Sequence, residues 1–187
     1  MKIIDIKQLQ KVYNTTVVPV HAIRGIDLSF EEGEFAAIVG PSGSGKTTLL
    51  NIVGGLDNPT EGSVFIDGSE ITRLKPHQLI RFRLQKIGFV FQAYNLIPVL
   101  TAKENVEFIM QLQGKPRKER EQRTRELMEA VGLADRMDSR PSRLSGGQQQ
   151  RVAVARALAS KPKFVLADEP TGNLDSKSTE TLLDIML

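Results

Sequence analysis

Residues 35 to 50 read FAAIVGPSGSGKTTLL, and the order of residue types in them points to a strand, a tight loop and a helix in direct succession. The first five residues are apolar without a break, which is typical of a strand buried on both faces of a sheet. A glycine-rich turn follows, and Lys46 to Val53 has the apolar spacing of a helix.

The loop in this stretch fits the pattern GxxxxGK[ST], which binds phosphate. Its glycines let backbone N–H groups converge on phosphate oxygens, and the helix behind it adds the positive end of its dipole. Lys46 is expected to reach the β- and γ-phosphates of a nucleotide, and Thr47 to bind Mg²⁺. The predicted nucleotide-binding residues are Gly40, Pro41, Ser42, Gly43, Ser44, Gly45, Lys46, Thr47 and Thr48. The pattern alone does not separate a kinase, GTPase, recombinase or transporter ATPase.

The composition is that of an ordinary globular domain. The chain has 187 residues, of which 40% are hydrophobic and 25% charged, so we expect one folded domain over residues 1–187. A net charge of +3 is too small to indicate nucleic-acid binding. The absence of cysteine excludes disulfides and thiolate metal sites. The N-terminus lacks the continuous apolar core of a signal peptide, and no stretch reaches the roughly 18–20 apolar residues of a membrane span.

Outward from the loop, strands and helices alternate. Short apolar alternations around Ile4 and Ile6 and from Ala22 to Phe30 predict an N-terminal antiparallel β subdomain. Further strands are predicted at 63–66, before a turn at Asp67 and Gly68, and at 87–91 and 163–167. This order predicts an α/β fold with a mainly parallel sheet.

Between about residues 97 and 150 we predict a helical insertion. The sequence from Thr101 to Glu104 fits a capping box, a second helix is predicted from Pro116 to Val131, and a third from Ser145 to Ala159. The mixed charges of the second helix are typical of a solvated face and do not indicate nucleic acid. One more helix is predicted from Asp175 onward.

Two carboxylates, Asp168 and Glu169, end the apolar run that begins at Phe164. Beside a phosphate loop, Asp168 is expected to hold Mg²⁺ and Glu169 to act as general base toward the attacking water. The alternative is that an acidic pair simply ends a strand.

A second anion site is predicted at the start of the third helix. Ser145 is a favourable N-cap, and Gly146 and Gly147 leave the first N–H groups of the helix unshielded. This site lacks a lysine and is separate from the phosphate loop. We therefore predict a dimer in which each chain completes the other's nucleotide site; a plain helix start with a glycine hinge is the alternative.

The sequence Leu144-Ser145-Gly146-Gly147-Gln148, followed by Gln149-Gln150-Arg151 and an alanine-rich helix, resembles the ABC ATPase family. Within that family the chain is similar to the branch that serves lipoprotein-release and macrolide-export systems. That closer similarity is carried by residues 20–25, 51–57 and 141–151, which read VHAIRG, NIVGGLD and PSRLSGGQQQR.

The resemblance implies further roles. Tyr13 matches the aromatic residue that stacks on adenine, although ordinary packing would also explain a lone tyrosine. Gln92 matches the glutamine that contacts Mg²⁺ and the water, and 173–175 match a loop that crosses the dimer interface. Ser145, Gly146, Gly147 and Gln148 are expected to contact nucleotide. Residues 93–100 are expected to line a groove for the membrane partner, while their apolar members fit a helical core equally well: Leu96, Ile97, Val99 and Leu100.

One part of the family pattern is not matched. The family places a switch histidine on a strand beyond the predicted final helix, whereas the only histidines here are His21 and His77, far upstream. The resemblance therefore implies a C-terminal truncation that removes a strand lying between the phosphate-loop strand and the strand ending at Asp168. Such a gap is about 9–10 Å wide, and we expect hydrolysis to belong to a longer chain.

Taken together, the sequence predicts an ATP- and Mg²⁺-dependent ATPase with Glu169, Lys46 and Gln92 as catalytic residues and Thr47, Gln92 and Asp168 as metal ligands. The expected assembly is a head-to-tail homodimer bound to transmembrane permease subunits at the cytoplasmic face of the membrane. It is expected to export, or extract from the membrane, a hydrophobic or lipidated substrate. Two alternatives are a non-hydrolysing nucleotide-binding fragment and a non-transport ABC ATPase; the latter class tends to carry long coiled-coil insertions or two ATPase halves, and neither is present.

Overall fold

The computed structural model describes residues 1–14, 18–172 and 179–180. The chain forms two compact units, Met1–Arg81 and Phe82–Leu187. The first is built on an antiparallel sheet, and the second on a parallel strand pair with helices. This combination confirms the predicted α/β class with an antiparallel N-terminal part.

The sheet of the first unit has four strands in the order β2-β1-β3-β4. They are β1 (Lys2–Tyr13), β2 (Val20–Glu31), β3 (Glu61–Ile66) and β4 (Ser69–Glu70). Ile4 of β1 faces Ile66 of β3, and Ile6 faces Val64, all four of them buried. Cross-strand apolar pairs of this kind fix the register of an antiparallel sheet. The predicted turn at Asp67 and Gly68 joins β3 to β4, with φ of 48° and 74°, the positive values of a two-residue hairpin turn.

One helix lies between β2 and β3 along the chain, and a second follows β4 and continues into the sequence of the second unit. Helix α1 spans Lys46–Val53, as predicted, and buries Leu49, Ile52 and Val53. Helix α2 spans Pro76–Lys86 and has no fully buried residue. The apolar residues that recur at helical spacing in α1 are therefore the ones that anchor the phosphate loop to its unit.

The predicted strand from Phe35 to Val39 is wrong. These residues belong to neither sheet, and the side chains of Phe35, Ile38 and Val39 are 58%, 40% and 91% exposed. An apolar run becomes a buried strand only when neighbouring strands bond to its edges and other elements cover its faces. Within the described residues no strand pairs with it.

From Ile87 to Gly172, the second unit holds a parallel strand pair and three α-helices. β5 (Ile87–Val90) pairs with β6 (Phe164–Ala167), with Ile87 opposite Phe164 and Val90 opposite Ala167. The helices are α3 (Ala102–Leu112), α4 (Arg117–Ala130) and α5 (Gly146–Ala159). They enclose a buried apolar cluster that includes Val106, Met128 and Val152, each of them with no exposed surface.

Helix boundaries agree with the sequence signals. Thr101 and Glu104 form the predicted capping box at the start of α3, and Gly132 follows α4 with φ 67°. Ser145 caps α5, which ends at Ala159 as predicted. Thr179 and Glu180 are helical; the rest of the helix predicted from Asp175, and the 173–175 loop, lie outside the described residues. The extents predicted for the single domain and for the helical insertion stay predictions.

Candidate functional site

In the first unit, the phosphate loop leads directly into α1. Gly45 is the N-cap of the helix and has φ 91°, a left-handed conformation that glycine adopts without strain. The N–H of Leu49 donates to the Gly45 carbonyl at 2.8 Å, and the N–H of Ser44 donates to the Pro41 carbonyl at 3.2 Å. The loop is therefore a compact turn that ends at the N-terminus of a helix, where anions bind favourably.

Gly45 also lies against the neighbouring strand. A Cβ atom at this position would be 2.4 Å from the carbonyl oxygen of Ala22 in β2. Because two backbone segments meet here, every side chain larger than hydrogen is excluded for a steric reason, in addition to the conformational one.

The ammonium group of Lys46 folds back over the loop. Its Nζ donates to the carbonyl oxygens of Gly40 at 2.8 Å and Pro41 at 3.0 Å. The side chain thereby places a positive charge on the loop whose glycines precede it. Phosphate oxygens accept stronger, charge-assisted hydrogen bonds than peptide carbonyls do, so the chemistry of this lysine suits a phosphate group.

Tyr13 lies at the end of β1, paired with Val20 of β2. Its hydroxyl donates to Oδ2 of Asp57 at 2.8 Å, and Nζ of Lys11 lies 4.7 Å from the centre of its ring. Sequence reasoning identified Tyr13 but missed both partners. In the sequence, Asp57 is noticed only as part of the segment 51–57, which carries the similarity to one branch of the family. Tyr13 and Asp57 are 44 positions apart, so no local spacing links them.

In the second unit, the acidic pair follows β6 as predicted. The N–H of Asp168 donates to the carbonyl of Val90 at 3.0 Å, which extends the β5–β6 pairing by one residue. Glu169 has φ 46°, and its carbonyl accepts from the N–H of Gly172 at 3.0 Å. A tight turn therefore begins at Glu169, and its left-handed backbone is the kind of strained conformation that clusters at functional sites.

Gln92 and Glu169 meet beside Gly172. A Cβ atom on Gly172 would lie 3.1 Å from Nε2 of Gln92 and 3.6 Å from Oε2 of Glu169. The structure thus brings together two of the three predicted catalytic side chains, and a glycine leaves them the space. The third, Lys46, belongs to the first unit, so the combined set stays a prediction, as does the metal set of Thr47, Gln92 and Asp168.

A capping box closes the start of α5, and the sequence predicted only one part of it, the N-cap Ser145. The N–H of Gln148 donates to Oγ of Ser145 at 3.3 Å, and the N–H of Ser145 donates to Oε1 of Gln148 at 2.9 Å. Gly146 is crowded, because a Cβ there would be 2.8 Å from the hydroxyl of Tyr94. The predicted second anion site is therefore a well-formed helix N-terminus, with Gln148 as its internal partner.

A buried glutamine connects this helix to the acidic turn. Gln150 has no exposed surface, and its Nε2 donates to the carbonyl of Pro170 at 2.7 Å. Pro170 follows Glu169 directly, so α5 holds the turn that presents the predicted general base. Sequence reasoning read Gln150 only as part of a family motif and missed this contact.

The segment 93–100 is attached to the helices on two sides. Arg156 of α5 donates to the backbone carbonyls of Tyr94, at 2.9 Å, and Asn95, and burial lowers the pKa of its guanidinium. Leu96 packs against the helical core, whereas Val99 is 71% exposed. The sequence left two interpretations of these apolar residues, a groove for the membrane partner and a helical core. Leu96 fits the helical core, whereas Val99 remains on the surface.

Asn105 fixes the other end of this segment. It has no exposed surface; its Oδ1 accepts from the N–H of Ile97 at 2.8 Å, and its Nδ2 is within 3.3 Å of the carbonyls of Ile97, Leu100 and Thr101. No sequence pattern identified Asn105, because an asparagine in a helix is ordinarily interpreted as a neutral polar residue.

We expect Asn105→Ala to lower the free energy of unfolding by about 2–3 kcal/mol, because it leaves buried backbone groups without partners. Urea unfolding followed by circular dichroism measures the change. The matched control is Gln111→Ala, an exposed position on the same helix, with an expected change within about 0.5 kcal/mol. Equal effects of the two changes would show that Asn105 does not fix the segment.

None of the described helices is both long and apolar enough to traverse a bilayer.

Comparison with known proteins places this geometry in context. A family model described as "ABC transporter" matches residues 23–172. The lipoprotein-releasing system ATP-binding protein LolD of Aquifex aeolicus is 53% identical over 165 residues, which are 88% of this chain and 74% of LolD. The macrolide export ATP-binding/permease protein MacB of Aggregatibacter actinomycetemcomitans is 50% identical over 186 residues, and the chain spans 29% of its length.

Among solved structures, the fold matches a dimeric post-hydrolysis state of the ATP-binding cassette MJ0796 bound to ADP and Pi. The TM-score is 0.91 at 45% sequence identity, over 97% of this chain and 80% of the cassette.

Proposed function

Because this chain belongs to the ABC transporter family of ATP-binding proteins, we propose that it is the ATP-hydrolysing subunit of a transporter that exports, or extracts from the membrane, a hydrophobic or lipidated substrate. The observation that carries the proposal is the phosphate loop, in which Gly45 caps α1 against β2 and Lys46 lies over the loop. Similarity to LolD and MacB supports the substrate class.

ATP would be held at its phosphate end and at its adenine end. The loop from Gly40 to Thr48 offers backbone N–H groups, the N-terminus of α1 and the Lys46 ammonium to the phosphates. Tyr13 offers an aromatic ring on which the adenine stacks. The similar cassette that was solved with ADP and Pi supports nucleotide binding by this chain.

The donors proposed for Mg²⁺ suit that ion. Thr47 supplies a hydroxyl oxygen, Gln92 an amide oxygen and Asp168 a carboxylate, and Mg²⁺ prefers oxygen ligands of this kind. When bound, Mg²⁺ neutralises charge on the phosphate oxygens. Glu169, which meets Gln92 beside Gly172, would orient water for in-line attack on the γ-phosphate and accept its proton.

Two copies would close head to tail, with Ser145 and Gly147 of one capping the γ-phosphate bound by the other. The capping box supports this proposal, because Oγ of Ser145 uses one lone pair to accept from Gln148 and its hydroxyl proton is left to donate to a phosphate oxygen. The N-terminus of α5 adds its positive dipole end. Dimeric structures of a similar cassette support the assembly.

The permease partner would engage the segment 93–100 at the cytoplasmic face of the membrane. Val99 offers an exposed apolar side chain there, and the segment is tied through Arg156 to α5. Closing and reopening of the ATPase dimer would then be transmitted to the membrane subunits. The similarity to LolD and MacB supports export or extraction as the direction of transport.

We expect the chain to bind ATP–Mg²⁺ and Lys46→Ala to weaken that binding about 100-fold, since it removes charge-assisted hydrogen bonds to phosphate. Isothermal titration calorimetry with ATP and Mg²⁺ measures both dissociation constants. Lys118→Ala, at an exposed lysine of α4, is the matched control and should bind as the unchanged chain does. Failure of the unchanged chain to bind ATP, or equal binding by the Lys46 variant, would contradict the proposed function.

A further inference from the structure

Asp57 is the centre of a small polar cluster in the first unit. Its Oδ2 accepts from the hydroxyl of Tyr13 at 2.8 Å, and its Oδ1 accepts from Nζ of Lys11 at 2.8 Å and from the N–H of Asn58 at 2.7 Å. Both carboxylate oxygens are therefore used. The Lys11 ammonium is held a second time by the carbonyl of Asn58 at 2.6 Å.

The backbone of Asp57 is tied to the helix that follows the phosphate loop. Its N–H donates to the carbonyl of Asn51 in α1 at 3.2 Å, and the N–H of Leu56 donates to the same carbonyl at 2.7 Å. Asp57 thus lies between two parts of the first unit. Its main chain is fixed to α1, the helix that begins at Lys46, and its side chain is fixed to the end of β1.

Lys11 and Asp57 together fix the orientation of the Tyr13 ring. The ammonium of Lys11 lies over one face of the ring, 4.7 Å from its centre, a geometry that gives a favourable cation–π interaction. The hydrogen bond from the phenol hydroxyl to Asp57 fixes the direction of the ring axis, and the ammonium of Lys11 over one face disfavours rotation of the ring plane about that axis. Because Lys11 lies over one face of the ring, a stacked base would have to use the other face.

The hydrogen bonds of the cluster favour the ionised form of the Asp57 carboxyl. Partial burial acts to raise the pKa of the Asp57 carboxyl, but hydrogen bonds from Lys11, Tyr13 and the Asn58 N–H outweigh it, and the pKa lies below its usual range. The side chain of Lys11 is only 12% exposed, so its ammonium is held beside its partner and is little screened by solvent.

We propose that Asp57 is a positioning residue for base recognition, which holds the Tyr13 ring at a fixed place relative to the phosphate-loop helix so that one face of the ring receives the adenine. The proposal rests on the proposed function, in which Tyr13 contacts the base. It assigns Asp57 to the base end of the nucleotide and predicts no direct effect on the phosphates.

Comparing two ligands tests this division. ATP engages both ends of the site, whereas inorganic tripolyphosphate engages the phosphate loop alone. In calorimetry with Mg²⁺, we expect Asp57→Ala to weaken ATP binding about tenfold, the order of one base–aromatic stacking contact, and to change tripolyphosphate binding by less than about twofold. Asp57→Asn, which keeps an acceptor oxygen, should lie between the unchanged chain and Asp57→Ala.

The control is Asp5→Asn. Asp5 lies on the same strand as Tyr13 and is paired with Lys2 at 3.2 Å and Lys7 at 3.6 Å, with a side chain 25% exposed against 32% for Asp57. It therefore matches Asp57 in charge, partner type and exposure, and should bind both ligands as the unchanged chain does.

Two further readouts separate positioning from general stabilisation. Tyr13→Phe should weaken ATP binding to a similar extent, and the double change with Asp57→Ala should add little, because both remove one coupled interaction.

The chain has two tyrosines and no tryptophan, so in a Tyr94→Phe background the tyrosine emission reports on Tyr13 alone. Saturating ATP should alter that emission, and Asp57→Ala should reduce the change.

Equal weakening of ATP and tripolyphosphate binding by Asp57→Ala, no weakening of either, or full additivity with Tyr13→Phe would overturn the proposal. If Asp57→Ala does not fold, the same comparisons made with Asp57→Asn decide the matter. An unchanged chain that binds tripolyphosphate but shows no preference for ATP would refute the base contact of Tyr13, and with it the proposed function at that end of the site.

Discussion

Glu169→Gln is expected to keep ATP binding within about twofold of the unchanged value and to lower the rate of ATP hydrolysis by about 10²–10⁴-fold in the hydrolysing assembly. Glutamine has nearly the same shape and still accepts a hydrogen bond, but it cannot take the proton of the attacking water. The turn that presents residue 169 is held by Gly172 and by Gln150 through Pro170, so the substitution should not disturb it.

Phosphate release and calorimetry measure the two quantities side by side. Glu129→Gln, at an exposed position near the end of α4, is the matched control and should hydrolyse ATP at the unchanged rate. Because the variant retains intact ATP, light scattering should show it as a dimer with ATP and as a monomer without nucleotide. Normal turnover in the Glu169 variant would remove this residue from the role of general base.

Gly45→Ala is expected to lower the free energy of unfolding by about 3 kcal/mol or more and to weaken ATP binding at least tenfold. Two costs combine at this position. The left-handed backbone, with φ 91°, costs an alanine about 1–2 kcal/mol, and the new methyl group would meet the Ala22 carbonyl at 2.4 Å. A collision with backbone is relieved only by moving α1 away from β2, which distorts the phosphate loop.

Gly33→Ala separates the two costs. Gly33 has φ 78°, and a Cβ there meets nothing within 4 Å, so its substitution carries the conformational cost of about 1–2 kcal/mol alone. Urea unfolding gives the stabilities and calorimetry the ATP affinities. If the two alanine variants are equally stable and bind ATP equally well, the close approach of α1 and β2 has no part in shaping the loop.

Local signals predicted the parts of this molecule that depend on local physics. Helix α1 begins at Lys46, the capping box lies at Thr101 and the N-cap of α5 is Ser145, as the sequence indicates, because caps and apolar spacing act within one or two turns. The turn at Asp67 and Gly68 follows from the same kind of rule.

Long-range contacts could not be predicted in this way. The hydrogen bond from Tyr13 to Asp57 and the bonds between Asn105 and Ile97 depend on how distant or differently folded segments meet, and polar residues carry no period that reveals them. Gln150 was recognised only through family resemblance, which named its motif and not its contact with Pro170. The wrong prediction of a strand at Phe35–Val39 has a different origin. These residues have the composition of a buried strand, but burial depends on the strands and helices around them and not on the apolar run itself.

That exposed run has a practical consequence for solution experiments. Contiguous apolar residues at the surface promote self-association, and an apolar stretch of β-forming residues also tends to add to strands of other molecules. Association by this route would need no nucleotide and would grow with protein concentration. Oligomers of the unliganded chain should therefore not be counted as the proposed ATPase dimer, which we expect to require ATP at constant protein concentration.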